Sequence, residues 1–106
     1  MTHPNPEGGE AWTLHEYRSP RGTYFVTDAS GAKVASSLKC GERQARLITA
    51  APDLLALARV SAAQFRFYEQ QHRAKGTPEA DAKAEVNREL AERIEAAISA
   101  ATGARP

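Results

Sequence analysis

The chain is written in two hydrophobic periods. Trp12-Thr13-Leu14-His15-Glu16-Tyr17 partly alternates apolar and polar residues and is rich in β-formers. Thr23-Tyr24-Phe25-Val26-Thr27 is the strongest strand signal, and Ala32-Lys33-Val34-Ala35-Ser36 is a weaker one. Between them lie two turn signals. Ser19-Pro20-Arg21-Gly22 has Pro second and Gly fourth, the type I preference. Asp28-Ala29-Ser30-Gly31 ends on a glycine able to take a positive φ. Short turns between consecutive strands predict an antiparallel meander over residues 11–38. The third strand is expected at an edge, where Lys33 discourages further pairing.

From Glu42 the spacing becomes helical. Ala45, Leu47, Ile48 and Ala51 mark a first helix over residues 42–51. Pro52 cannot continue a helical hydrogen-bond ladder, so a break is expected there, with Pro52 opening a second helix over 52–75. Leu54, Leu57, Ala58, Ser61, Phe65 and Tyr68 recur every three or four residues and predict its apolar stripe. Leu54, Leu55 and Leu57 are expected to anchor the hairpin to the sheet. Gly76-Thr77-Pro78 supplies a C-terminal cap, an N-cap and a first helical residue in succession. A third helix over 78–102 carries a stripe of Val86, Leu90, Ile94, Ala97, Ile98 and Ala101.

The predicted fold is therefore α+β: a three-stranded antiparallel meander, a short helix and a long antiparallel helical hairpin. Residues 11–106 form a single domain, and residues 1–10, with Pro4, Pro6, Gly8 and Gly9, read as a flexible tail. At ~1.5 Å per residue each long helix spans about 35 Å, more than the ~17–20 Å of a typical strand. The hairpin should overhang the sheet, and a homodimer through a four-helix arrangement would cover it. Phe65 and Phe67 leave two arrangements open: Phe67 meets the sheet while Phe65 meets the third helix, or one of them lies at an interface. At about 100° per residue they point roughly 200° apart, so one helix has two apolar sides.

Composition narrows the function. At 106 residues with net charge +1, no global field draws the chain to nucleic acid or membrane. The single cysteine, Cys40, fits a reducing cytoplasm. The start of the sequence has no apolar run and reads as neither signal peptide nor membrane span. His3, His15 and His72 are scattered, no Cys or His recurs at metal-ligand spacing, and no cofactor motif is present. No catalytic constellation emerges, so the chain reads as a binding protein and not an enzyme.

Charge is uneven along the helices. Residues 53–75 carry Arg59, Arg66, Arg73 and Lys75 against Asp53 and Glu69. Residues 79–98 carry Lys83, Arg88 and Arg93 against Glu79, Asp81, Glu85, Glu89, Glu92 and Glu95. A basic helix beside an acidic one favours their antiparallel pairing, or pairing across a dimer. Arg59, Arg66 and Arg73 recur every seven residues along one side. Such a row could grip phosphate or an acidic protein surface, or pair with the acidic helix. Arg59, Arg66, Phe67, Gln70 and Arg73 are the candidate binding residues.

Residues 45–59, Ala-Arg-Leu-Ile-Thr-Ala-Ala-Pro-Asp-Leu-Leu-Ala-Leu-Ala-Arg, resemble the helical signature of short proteins encoded by phages and prophages. Glu95 to Gly103 resembles their alanine-rich ending, and Asp28-Ala29-Ser30-Gly31 before Val34-Ala35 is similar to their sheet turn. Gln44 departs from the asparagine usual before Ala-Arg, and the aromatic segment Phe65 to Tyr68 lies outside the pattern. The resemblance implies life in a bacterial host cytoplasm. It also implies action by binding a host protein or complex, foremost as an anti-CRISPR-type inhibitor of a defence system. A nucleic-acid or nucleotide binder using the basic helix face, and a virion assembly protein, are the alternatives.

Overall fold

The computed structural model describes residues 10–103, so nearly all of the expected tail lies outside the described residues. In chain order the elements are β1 (Thr13–Glu16), β2 (Tyr24–Thr27), β3 (Lys33–Leu38), α1 (Glu42–Arg73) and α2 (Pro78–Thr102). This is the α+β order expected, a meander followed by helices. The chain divides into two compact units. The first ends at Ala56 and the second begins at Leu57, within α1.

In the first unit the strands run antiparallel in the order β1-β2-β3. Leu14 pairs with Val26 and Glu16 with Tyr24, while His15 pairs with Phe25 and Thr13 with Thr27. Side chains alternate across a strand, so these pairs belong to opposite faces. Tyr24 and Val26 are buried, and Val26 is the largest fully buried side chain among the described residues. On the other face His15 stacks on Phe25 at 4.6 Å, and Tyr17 meets Phe25 at 4.7 Å. Lys33 places its ammonium 5.1 Å from the Phe25 ring and 5.6 Å from the Tyr17 ring. The edge lysine therefore also covers aromatic surface, a cation–π contact.

The turns follow their residues. Tyr17 N–H donates to the Thr23 carbonyl at 2.9 Å, closing the first loop, and the Glu16 carboxylate accepts from Gly22 N–H at 2.9 Å. In the second, one Asp28 oxygen accepts from Ser30 N–H, Ser30 hydroxyl and Ala32 N–H at 2.9, 2.6 and 3.0 Å. The Ser30 hydroxyl first, then the backbone donors, hold the Asp28 carboxyl below its usual range. Gly31 takes φ 89°, the conformation its place in the turn requires. β3 runs two residues past its expected end and is out of simple register with β2 on both sides of Val26. Ser37, at φ 56°, lies where β3 has extra chain, and such bulges turn an edge away from further pairing.

α1 begins beside β2. The Tyr24 phenol is pushed up by burial first and then by the charges of Glu16 and Glu42. Ala45 and Thr49, one turn apart on α1, are buried, and the Thr49 hydroxyl donates to the Ala45 carbonyl at 2.8 Å. Bonding back to the preceding turn satisfies a buried hydroxyl inside a helix.

The expected break at Pro52 does not occur. The short helix over 42–51 and the helix over 52–75 are one continuous helix with Pro52 inside it. Pro52 removes a single N–H, the one that would reach Ile48, and the strongly helical sequence on both sides carries the ladder across. Of the leucines after it, Leu54 and Leu57 are exposed and Leu55 is half-buried.

In the second unit, the rest of α1 and α2 form the helical hairpin. Lys75 and Gly76 N–H groups donate to His72 and Arg73 carbonyls, and Gly76 takes φ 68°. Thr77 caps α2, its hydroxyl accepting from Ala80 N–H at 3.1 Å, and Pro78 opens the helix. The left-handed Gly103 ends it, as expected. The buried apolar residues of this unit are Ala62, Ala80, Ala84 and Ala91. They lie outside the expected stripes, of whose large members Phe65, Leu90, Ile94 and Ile98 are half-buried while Leu54, Leu57, Tyr68 and Val86 are exposed.

Replacing Pro52 by alanine restores the missing donor and a favourable helical residue. Loss of the proline's restriction on the unfolded chain offsets part of that gain. Pro52→Ala should stabilise the protein by about 2 kcal/mol, read as a higher urea midpoint with an unchanged slope. A lower midpoint would mean that the proline itself is required.

Candidate functional site

The charged residues of the hairpin form one connected ladder. Arg66 holds Glu95 in a two-pronged contact, Nε to Oε2 at 3.0 Å and Nη2 to Oε1 at 2.8 Å. Its third arm reaches Glu69 at 3.0 Å. Arg73 bonds Glu69 at 3.1 Å and crosses to Glu85 at 2.7 Å. Arg88 joins Glu85 at 2.8 Å and Glu92 at 2.7 Å. Three arginines and four glutamates thus alternate without a gap, and two cross-helix contacts fix the antiparallel pairing. Single exposed ion pairs add only ~0–1 kcal/mol, but a two-pronged arginine contact within a network also fixes geometry.

The ladder decides much about the arginine row. Of the candidate binding residues, Arg66 and Arg73 are held by carboxylates of their own chain. The Arg66 guanidinium is made harder to deprotonate by Glu95 first and Glu69 second. Arg59, Phe67 and Gln70 are exposed, and Arg59 has no carboxylate partner among the described residues. Spacings of eight and three residues place these last three on one flank of α1. The structure therefore divides the five candidates, with two inside the ladder and three on open surface.

Next to that flank lies a row of exposed apolar side chains. Leu57, Val60, Phe67 and Tyr68 are 53%, 45%, 54% and 41% exposed. Ser61, Gln64 and Gln71 complete the same side at helical spacing, so none of its seven positions carries a charge. Phe67 and Tyr68 meet edge to face at 5.8 Å, and Gln64 Nε2 donates to the Tyr68 hydroxyl at 3.3 Å. The two apolar sides expected of this helix are present: Ala62 is buried, Phe65 is half-buried, and Phe67 faces out. Leu57, Val60 and Tyr68 were missing from the expected site because Leu57 and Tyr68 fit a core stripe. The available signal was the set Ala80, Ala84 and Ala91, whose spacing of four and seven marks the close-packed side of α2.

Other chemistry is sparse. Among the described residues no cluster of His, Cys, Asp and Glu could hold a metal ion. Cys40 is exposed, its sulfur 3.7 Å from the Gly41 carbonyl. His15 shares a 2.9 Å hydrogen bond with the Thr27 hydroxyl in the sheet, while His72 lies near the end of α1. No helix among the described residues is long and apolar enough to cross a membrane. No family model, curated protein or solved structure matches the chain.

The ladder makes a pH prediction. Arg88 and then Arg73 hold the Glu85 carboxyl down to about 2, and Arg66 lowers Glu69 and Glu95. A depressed folded-state value adds stability above the ordinary Glu value of about 4.3, and that stability is lost as pH falls through the folded values. Helicity by circular dichroism should hold above that ordinary value and decline toward about pH 2. In Arg88→Ala, the Glu85 carboxyl resonance should titrate closer to the ordinary range. An unchanged titration would remove Arg88 as the principal cause.

Proposed function

We propose that this chain is a binding protein that engages another protein through the outward side of α1. The observation that carries the reading is the uncharged surface of Leu57, Val60, Phe67 and Tyr68, four large side chains left in solvent on one helix. Aromatic residues with an arginine at the rim are a common composition for protein interfaces, and Arg59 supplies that rim. Contiguous apolar surface on a regular helix favours a partner with its own apolar groove or helix.

The resemblance of residues 45–59 to phage and prophage proteins supplies the partner class. We take the target to be a host defence component in the bacterial cytoplasm, bound and blocked in the manner of an anti-CRISPR inhibitor. The arginine row gives less support to nucleic-acid binding, because Arg66 and Arg73 already serve carboxylates.

The test is phage plating on a panel of bacterial strains, each carrying one active defence system. Expression of the chain should raise plating on at least one strain, and Phe67→Glu should abolish the rise while leaving soluble helical protein. If plating stays flat on every strain at good expression, the anti-defence reading is lost. If Phe67→Glu inhibits as well as the parent, this face is not the binding surface.

A further inference from the structure

We propose that, before any target is met, the uncharged side of α1 is covered by the same side of a second copy, the two α1 helices running antiparallel about Gln64. The inference rests on reading this face as an interface and adds what occupies it in the free protein.

The first ground is that no large side chain of the hairpin unit is fully buried among the described residues. Its buried apolar residues are Ala62, Ala80, Ala84 and Ala91, each contributing little area, while Phe65, Leu90, Ile94 and Ile98 are only half-buried and Leu57, Val60, Phe67 and Tyr68 are exposed. Burial of apolar surface is the main favourable term in folding, so this unit gains most from a cover available whenever the chain itself is present. Another copy meets that condition, and a host protein does not.

The second ground is the pattern. Leu57, Ser61, Gln64, Tyr68 and Gln71 are spaced four, three, four and three residues apart, which sets them in one line along α1, apolar at Leu57 and Tyr68 and polar but uncharged at the other three. Val60 and Phe67 widen the line on one side. A two-fold axis at Gln64 sets Leu57 against Gln71 of the second copy, Val60 against its Tyr68 and Ser61 close to its Phe67. No like charges meet, because none of these positions is charged.

The third ground is area. Phe and Tyr each bury roughly 150–250 Å² when fully covered, so about half of that is on offer at Phe67 and Tyr68. With the other residues of the line the face supplies on the order of 500–600 Å² per copy, near the lower limit for a specific interface. This size suits a dimer that assembles at micromolar concentration and can give way to a target.

The test uses the purified chain alone. Sedimentation equilibrium should show a concentration-dependent dimer below about 100 µM. Leu57→Glu and Phe67→Glu should each weaken it by more than about tenfold, with helicity retained. Val34→Glu, at an exposed site on β3, should leave dimerisation unchanged. Because Cys40 is the chain's only cysteine, Cys40→Ser with Gln64→Cys carries one reporter thiol at the axis. Mild oxidation should link two such chains through it. A monomer throughout that range, or a dimer untouched by both glutamates, overturns the proposal. So does a dimer that the Gln64→Cys thiol fails to link. A monomer that still raises phage plating would sink the dimer and leave the binding reading standing.

Discussion

The second unit depends on alanine between two helices. Ala62 on α1 and Ala80, Ala84 and Ala91 on α2 are its buried apolar residues, and they add little area of their own. Small side chains let backbones approach, but they transfer the burden of holding the pair together to the edges of the contact. There Arg66 reaches Glu95, and Arg73 reaches Glu85, from one helix to the other. The ladder and the alanine contact are thus two parts of one solution. Close helices bring long charged side chains within reach, and those side chains set the register that alanines alone would leave loose.

The same constraint creates the candidate binding surface. α1 buries Ala62 and half-buries Phe65, and it leaves Leu57, Val60, Phe67 and Tyr68 exposed. The acidic residues of α2 take up Arg66 and Arg73, which removes those two from the open surface and leaves Arg59 at its margin. Charge that looks like a ligand-binding row along one helix becomes internal pairing once the second helix is in place. The residues left for a partner are therefore apolar and aromatic, with one guanidinium beside them.

The first unit solves a different problem with few residues. Four-residue strands supply little core, so Val26 and Tyr24 carry the covered face of β2, with Ala45 and Thr49 buried on α1. The opposite face is partly covered by its own side chains. Phe25 lies among His15, Tyr17 and the ammonium of Lys33, so aromatic surface is sheltered without another element being required. Asp28 fastens the β2–β3 turn by accepting three hydrogen bonds on one oxygen.

Local chemistry was legible in the residues alone. Gly31 ends its turn with a positive φ, Gly76-Thr77-Pro78 separates the helices, and Gly103 stops the last one, because caps and turns depend on a few neighbouring atoms. Partial alternation along Thr13–Glu16, β-forming residues along Tyr24–Thr27 and the short turns between strands likewise marked the meander. Pro52 was misleading for the opposite reason. A proline lowers helix stability locally, but α1 continues through it because the cost of one missing hydrogen bond is shared by a helix of 32 residues. The faces of α1 were the least legible. Leu57, Tyr68 and Phe65 all fit a helical stripe, yet which side is buried depends on where α2 lies, and alanine spacing competed with leucine spacing for that side. Sequence determined the elements and their order, since these follow from contacts between near neighbours. Tertiary structure alone decided which apolar side of α1 is covered and which arginines are spent, since both depend on residues 12 to 29 positions away across the hairpin.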